Sequence, residues 1–367
     1  MPIKIGIITH HYINNFGAFL QLYALYRTLQ SLLPDATVEV IDFRVEKHYF
    51  QNRRSLFIRK IRPSYVKEDV HRWLKEIQLA FIYRSERCRM KFSRPVKNAT
   101  EINTLHYDAV VIGSDEVWYY GDSSYSPVKF GSGLSSAKIV SYAPSIGGMM
   151  PDRSLPEEIP IGLNAFTHLS ARDKNTVILA KSHVNKPVTE VLDPIFLYNF
   201  EETVLPGGIA AEKYIVCYYE EGWDEDLVNI IKQHAASQQL RIVGAGCASS
   251  WYDRCLVNIT PFEWVSIFKH AAMVITGTFH GAAFGLKFNK KLIACPGNNF
   301  PNRIEKTISL LTTLGAESFM LDAQAHHVAA DLQKIIDSTF DMPAIQSLIA
   351  RKRAESIDFL KSALLDL

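Results

Sequence analysis

The stretch Ala272–Met273–Val274–Ile275–Thr276–Gly277–Thr278–Phe279–His280–Gly281 joins an apolar run to a titratable ring. Such a run reads as a buried parallel strand. It breaks at Gly277, and Ala282–Phe288 reads as a helix with Thr278 as its N-cap. His280 then stands in the helix's first turn, at the carboxyl end of a strand. Open α/β sheets bind ligands there, and helix-start N–H groups attract anions. An imidazole beside an anion site is a candidate acid catalyst for a phosphorylated substrate. The competing role for a single histidine is packing or capping.

Further stretches set His280 in a pattern. Asn14–Asn15–Phe16–Gly17–Ala18–Phe19–Leu20–Gln21, Ile112–Gly113–Ser114–Asp115–Glu116–Val117–Trp118, Ser141–Tyr142–Ala143–Pro144–Ser145, Ser170–Ala171–Arg172–Asp173 and Leu192–Asp193–Pro194 precede Thr278–Phe279–His280–Gly281 in that order. Together they resemble the polysaccharide pyruvyl transferase family, whose elements read N-[YF]-G-A-x-L-Q, G-S-D-x-[VL]-W, S-Y-A-x-S, S-x-R-[DE], L-D-P and S-x-H-G. The resemblance spans roughly residues 3–300, and the ordered set is far more specific than any one piece.

The resemblance implies pyruvyl transfer from phosphoenolpyruvate onto two hydroxyls of a glycan or lipid-linked oligosaccharide. An acid protonates the enol carbon, the first hydroxyl attacks, phosphate leaves, and the second hydroxyl closes the ketal. His280 is the candidate acid, with the Phe279 and His280 N–H groups against donor oxygens. A bound phosphate favours the protonated ring. The donor carries up to three negative charges, and Arg172 offers a planar fork suited to carboxylate or phosphate. It could instead pair with Asp173 or another acid. Asp115 either orients an acceptor hydroxyl, acts as base, or only caps a helix. Asn15 and Gly17 form an acceptor or phosphate loop, or serve as capping and close packing. Trp118 and Tyr142 stack on a sugar face or lie buried. Nothing in this chemistry requires a metal or a further cofactor.

Two α/β domains must position these residues. Alternating strands and helices (Lys4–Thr9, Gly17–Leu33, Thr37–Phe43, Asp108–Gly113, Lys138–Tyr142, Thr167–Ser170, Asp173–Lys181) predict a parallel-sheet domain over residues 1–192 that carries Arg172 and the acceptor side. A second spans 213–341 and carries the His280 loop, with Tyr214–Tyr219, Asp224–Gln238, Leu240–Gly244 and Lys291–Cys295 as elements. Thr260–Pro261–Phe262–Glu263 opens a helix as a capping box with Pro at the first position. The polar stretch 193–212 is the expected boundary. A helix over 342–367 crosses back to the first domain, as in the B-type glycosyltransferases whose fold this family resembles. Two such domains facing a cleft would bring Arg172 and His280 together.

Composition bounds these readings. The chain has 367 residues, 47% of them hydrophobic and 21% charged, enough for two cores and against extensive disorder. Met1–Thr9 reads as a strand and not as a signal peptide, and no apolar run approaches the roughly 20 residues of a membrane helix. The expected location is cytoplasmic, or peripheral on the inner membrane surface. The five cysteines show no C-x-x-C spacing, and Cys217 and Cys295 read as buried packing residues. The adjacent His10 and His11 point to opposite faces of a strand and do not easily share a metal.

Residues 44–97 hold 16 Lys or Arg against five Asp or Glu, a net of +11, while the whole chain is only +2. This segment, with Phe57, Ile58, Trp73, Leu74, Phe81 and Ile82 among its cations, is either solvated surface or a dock for anionic lipid or a diphosphate-linked glycan. Nucleic acid is not expected, since no binding motif accompanies the charge. The rival readings are a nucleotide-sugar glycosyltransferase of the same architecture and a non-catalytic glycan-binding family member. A dinucleotide site is disfavoured because Gly244–Ala245–Gly246 lacks the third glycine of the fingerprint.

Overall fold

The computed structural model describes residues 3–57, 67–151, 154–210, 212–219, 223–296, 301–322 and 325–365. The chain divides into two units, the first formed by Met1–Asn199 with Lys352–Leu367 and the second by Phe200–Arg351.

The first unit opens with β1 (Lys4–Ile8), whose Ile5, Ile7 and Ile8 are wholly buried. Asn15 starts α1 (Phe16–Leu32) by accepting the Ala18 N–H on its side chain, at 3.0 Å. The chain continues through β2 (Thr37–Val40), α2 (Glu46–Phe57), α3 (Lys67–Arg87), α4 (Ala99–Asn103), β3 (Ala109–Ile112) and β4 (Lys138–Ser141). It then passes through α5 (Glu158–Ala165), β5 (Leu169–Ala171), α6 (Lys174–His183) and β6 (Val188–Glu190). The strands β2-β1-β3-β4 form one parallel sheet, with Ile7 paired to Val40 on one side and to Val111 on the other. The chain leaves β1 toward β2 and returns on the opposite side to form β3. The order therefore reverses between β1 and β3, the switch point where such sheets bind ligands. The parallel pair β5-β6 continues the edge of β4 through a bridge from Val140 to His168 and reciprocal bonds between Ser141 and Ser170.

The second unit holds β7 (Tyr214–Tyr218), α7 (Glu225–Ser237), β8 (Arg241–Ala245), β9 (Arg254–Leu256), α8 (Pro261–His270), β10 (Met273–Thr276), α9 (Phe279–Lys287) and β11 (Lys291–Ala294). Helices α10 (Pro301–Thr313), α11 (Val328–Asp337) and α12 (Met342–Leu364) follow. Its five parallel strands run β11-β10-β7-β8-β9, so this sheet reverses between β7 and β10. Cys217 and Cys295 lie buried in its core. From Lys352 onward α12 belongs to the first unit, where Ser356 accepts the Leu192 N–H at 2.9 Å and Arg353 donates to the Leu197 carbonyl. Among the described residues no helix is long and apolar enough to cross a membrane.

Helix starts agree with their sequence signals where a capping side chain is present. Thr260 and Glu263 form the capping box, with bonds of 3.1 and 2.7 Å. The helix after Thr278 begins at Phe279 instead of Ala282, because the cap itself bonds the Gly281 N–H and draws the intervening residues into the first turn. Strands β6 and β9, three residues each, carry no readable periodicity. We predict that Thr260→Ala lowers the stability of the second unit by about 1 kcal/mol, while Thr260→Ser retains most of it. The shift in urea midpoint measures the difference, and equal midpoints for Ala and wild type would count against the cap.

Candidate active site

In the second unit, three side-chain contacts force the chain round at the end of β10. Thr276 Oγ1 donates to the Tyr218 carbonyl at 2.8 Å and accepts the Thr278 N–H at 3.1 Å. Thr278 Oγ1 then accepts the Gly281 N–H at 3.0 Å. A Cβ on Gly281 would lie 2.2 Å from Thr276 Oγ1, and one on Gly277 would lie 2.2 Å from the Tyr219 carbonyl oxygen, so neither position takes a larger residue without displacing the turn. The outcome is a half-buried His280 at the second position of α9, edge-on to Phe279 at 5.2 Å, beside the β7/β10 reversal. The positive end of the α9 dipole lies at this turn.

In the first unit, the turns after β3 and β4 concentrate backbone in the left-handed region. Gly113 (φ 132°), Asp115 (83°), Ala143 (53°) and Gly147 (67°) all lie there. For Asp115 and Ala143 such angles are costly, and residues of this kind cluster at functional sites. Asp115 is 17% exposed. Arg172 Nη2 reaches its Oδ1 at 3.3 Å, and Arg172 Nη1 binds Asp193 Oδ2 at 2.7 Å. Burial works against the Arg172 charge, but Asp193 and then Asp115 hold its pKa above the ordinary arginine value.

These positions correct several expectations. Arg172 is not an open fork: its side chain is 1% exposed and both arms meet carboxylates. Its neighbour Asp173 is occupied as the N-cap of α6. Trp118 and Tyr142 offer no face to a sugar, because both are wholly buried. Trp118 donates to the Lys129 carbonyl at 2.8 Å and stacks on Phe130, and Tyr142 donates to the Leu192 carbonyl at 3.0 Å. Asn15 caps α1, and Gly17 is buried inside it. The structure brings Asp115 and Arg172 together in the first unit, whereas Phe279 and His280 belong to the second.

Sequence reasoning missed His10 and Lys129. Both are buried, at 4% and 2% exposure, beneath the carboxyl edge of the first sheet. Lys129 Nζ donates to the Ser124 carbonyl at 2.7 Å and lies 3.5 Å from His10 Nε2. Burial brings the lysine down to about 7 against the pull of Asp122 and Asp115. Burial, with Lys129 adding to it, holds His10 well below its ordinary value. His11 turns the other way and bonds Asp42 at 2.8 Å. Burial keeps this ring toward its neutral form, so the contact is a hydrogen bond. Burial alone would raise Asp42, but bonds from His11 and Arg44 outweigh it and bring it to about 2. The His10–His11 pair at a strand end was the available signal; Lys129 had none.

Of the basic segment's cations, Arg44, Arg89, Lys91 and Lys97 pair with carboxylates within the fold. Arg87 holds the loop before α1 through the His11 and Ile13 carbonyls and the Asn14 side chain. Phe81 is 66% exposed. Ile58, Arg59, Lys60 and Arg62, and the side chains of Arg53, Arg54, Phe57, Trp73 and Leu74, lie outside the described residues. Among the described residues no three His, Cys, Asp or Glu side chains group as a metal site.

The family model of the polysaccharide pyruvyl transferases matches residues 15–299, a span that includes Asp115, Arg172 and His280. The chain belongs to this family. No curated protein matches it in sequence. Among solved structures it is similar to the UDP-GlcNAc 2-epimerase of Neisseria meningitidis, at 8% identity and TM-score 0.50, covering 100% of this chain and 99% of that one. It is also similar to the glycosyltransferase SnogD of Streptomyces nogalater, at 14% identity and TM-score 0.51, covering 99% of each. At these identities the likeness is one of fold, shared here between a pyruvyl transferase family member, a glycosyltransferase and a UDP-GlcNAc 2-epimerase.

Two stability experiments follow from the first unit. Arg172→Met leaves the Asp193 carboxylate buried without its counter-charge and should cost about 3–5 kcal/mol, and adding Asp193→Leu should restore most of it. Thermal melts of both variants measure this; an unchanged melt for Arg172→Met would return the arginine to a role in ligand binding alone. Lys129 gives a pH test. Below about pH 7 the amine is charged folded and unfolded, so its burial penalty is present in full. From there to its ordinary value near 10.5, the unfolded chain holds a proton that the folded chain lacks, and stability rises with pH. Relative to Lys129→Met, wild type should therefore gain stability between pH 7 and 10. Parallel profiles would contradict the assignment.

Proposed function

We propose that this chain transfers the pyruvyl group of phosphoenolpyruvate to two hydroxyls of a glycan, forming a pyruvate ketal and releasing phosphate. The observation that carries the reading is the Thr278–Gly281 turn in a chain of this family: a half-buried imidazole in the first turn of a helix, at a sheet's switch point. Three negative charges on a small donor suit the positive end of a helix dipole. In this reading His280 gives its proton to the donor methylene carbon, making the methyl group. The electron-poor carbon takes the oxygen of one hydroxyl, whose proton returns to His280. Phosphate departs with the C–O electron pair, and the second hydroxyl closes the ring as its proton is lost to phosphate.

Arg172 has a different part in this scheme from the one its motif suggested. It pairs with Asp193 and Asp115 inside the first unit, and donor charge falls to the amino-terminal turn of α9, Phe279 and His280. The acceptor is read as part of cell-surface polysaccharide synthesis. A lipid-linked acceptor on an anionic surface is supported by the +11 charge of residues 44–97.

His280→Ala should lower turnover about 10²–10⁴-fold, the range for a lost general acid, with donor affinity falling much less. Phosphate release and a pyruvyl mass gain on a glycan panel supplied with phosphoenolpyruvate measure it. Wild-type turnover by the variant at saturating donor would remove His280 as the acid. Release of nucleotide from a nucleotide sugar, with phosphoenolpyruvate inert, would sink the proposed reaction.

A further inference from the structure

Among the described residues, the basic segment 44–97 is matched by carboxylates at its two ends. Arg44, Arg89, Lys91 and Lys97 pair with Asp42, Glu86, Glu39 and Glu46, and Arg87 is engaged by the carbonyls of the loop before α1. Between those ends, residues 47–66 hold six Lys or Arg and no Asp or Glu, a net of +6 in a chain whose total is +2, so the remainder carries −4. Lys47 and, farther on, Arg84 are exposed and form no ion pair among the described residues.

Apolar side chains stand outward among those charges. Helices α2 and α3 pack against one another. On α2, His48, Tyr49 and Asn52 turn inward and are half-buried, which leaves Lys47 and Phe50 exposed, the ring at 62%. On α3, Tyr83 and Glu86 are buried, and the opposite side carries Phe81, 66% exposed, with Arg84 and Ser85. The 3.6-residue repeat puts Arg54 and Phe57 at the face of Phe50, and Leu74 and Ile77 at that of Phe81. Single exposed apolar residues are ordinary, but two rings on adjoining helices among unmatched cations form the pattern of an interfacial helix pair.

We propose that the outer faces of α2 and α3 dock on an anionic lipid bilayer, with Lys47, Arg53, Arg54 and Arg84 at headgroup phosphates and Phe50 and Phe81 at the acyl boundary. Both kinds of side chain select this occupant. Cations alone would serve a nucleic acid or a free diphosphate equally well; exposed rings beside them gain only where an apolar phase lies under the charge. With −4 on the remainder of the chain, an anionic surface attracts this face and repels the rest, which orients the molecule. His48, on the inner side of α2, lies 5.8 Å from His10 at the carboxyl edge of the first sheet. A bilayer against the outer side is about 10 Å, one helix diameter, from that edge. That a lipid-linked acceptor reaches the edge rests on the pyruvyl-transfer reading above; the docking itself does not.

Sedimentation of the full chain with vesicles tests the docking without turnover. Vesicles of phosphatidylcholine with phosphatidylglycerol should retain the protein at low salt, those of phosphatidylcholine alone far less, and high salt should release it. Changing Lys47, Arg53 and Arg54 together to Gln should weaken retention roughly 10–100-fold. Phe50→Ser with Phe81→Ser should weaken it several-fold and leave the thermal melt unchanged, since both rings are exposed in the fold. The indole of Phe81→Trp should be quenched by brominated anionic lipid beyond the quench of wild type. No retention on anionic vesicles at low salt, retention indifferent to both sets of substitutions, or displacement by millimolar pyrophosphate at constant ionic strength would overturn the dock. Tighter binding to single-stranded DNA than to the vesicles would also overturn it and make the charge a nucleic-acid surface. Vesicle binding that follows these substitutions, in a protein that ignores phosphoenolpyruvate, would support the dock while sinking the pyruvyl reading.

Discussion

A guanidinium with a 1% exposed side chain must be matched where it lies, and Arg172 is matched by Asp193, itself 0% exposed. Three parts of the first unit are tied by that requirement. Arg172 leaves β5 with its N–H on the Pro144 carbonyl, Asp193 turns the chain after β6 by accepting the Ile195 N–H, and Asp115 holds the turn after β3. Removing either charge strands the other in a medium that cannot solvate it. The left-handed backbone of Asp115 and Ala143 persists because this network, with the Ser114 bond to the Ala143 carbonyl, leaves the turns no other conformation.

The second unit reaches a similar end by different means. Two threonine hydroxyls and two glycines organise the turn after β10, and the glycines are required by close approach, as the 2.2 Å separations from Thr276 Oγ1 and the Tyr219 carbonyl oxygen make plain. In each unit the chemically capable side chain stands at the reversal of a parallel sheet. Adjacent connections diverge there to opposite faces and leave the strand ends uncovered. Shared architecture with an epimerase and a glycosyltransferase follows from that rule, while the chemistry follows from what each chain places at the reversals.

Motif readings succeeded and failed for a consistent reason. Thr278 and Thr260 were legible because a cap is a local bond across three residues, written in contiguous sequence. For Trp118, Tyr142 and Arg172 the sequence left two readings open, because their motifs report that a residue matters, not whether it faces ligand or core. The indole reaches the carbonyl of Lys129 and the phenol reaches that of Leu192, partners 11 and 50 residues away. Lys129 itself stands in an unremarked Pro-Val-Lys-Phe stretch, and only the folded chain buries its amine beside His10 and the Ser124 carbonyl.

The sequence by itself determined the parallel α/β class, the capped helix starts, the family, and the placing of His280 in a helix's first turn. Each depends on periodicity or on side chains bonding nearby backbone, interactions whose partners lie within a few residues. Only the tertiary structure decided that Arg172 serves Asp115 and Asp193, that two motif aromatics are core, and that His10 and Lys129 meet beneath the first sheet's carboxyl edge. Those outcomes depend on which groups share a place without water. Burial sets both the cost of a charge and the partners able to offset it, and burial is a property of the folded chain alone.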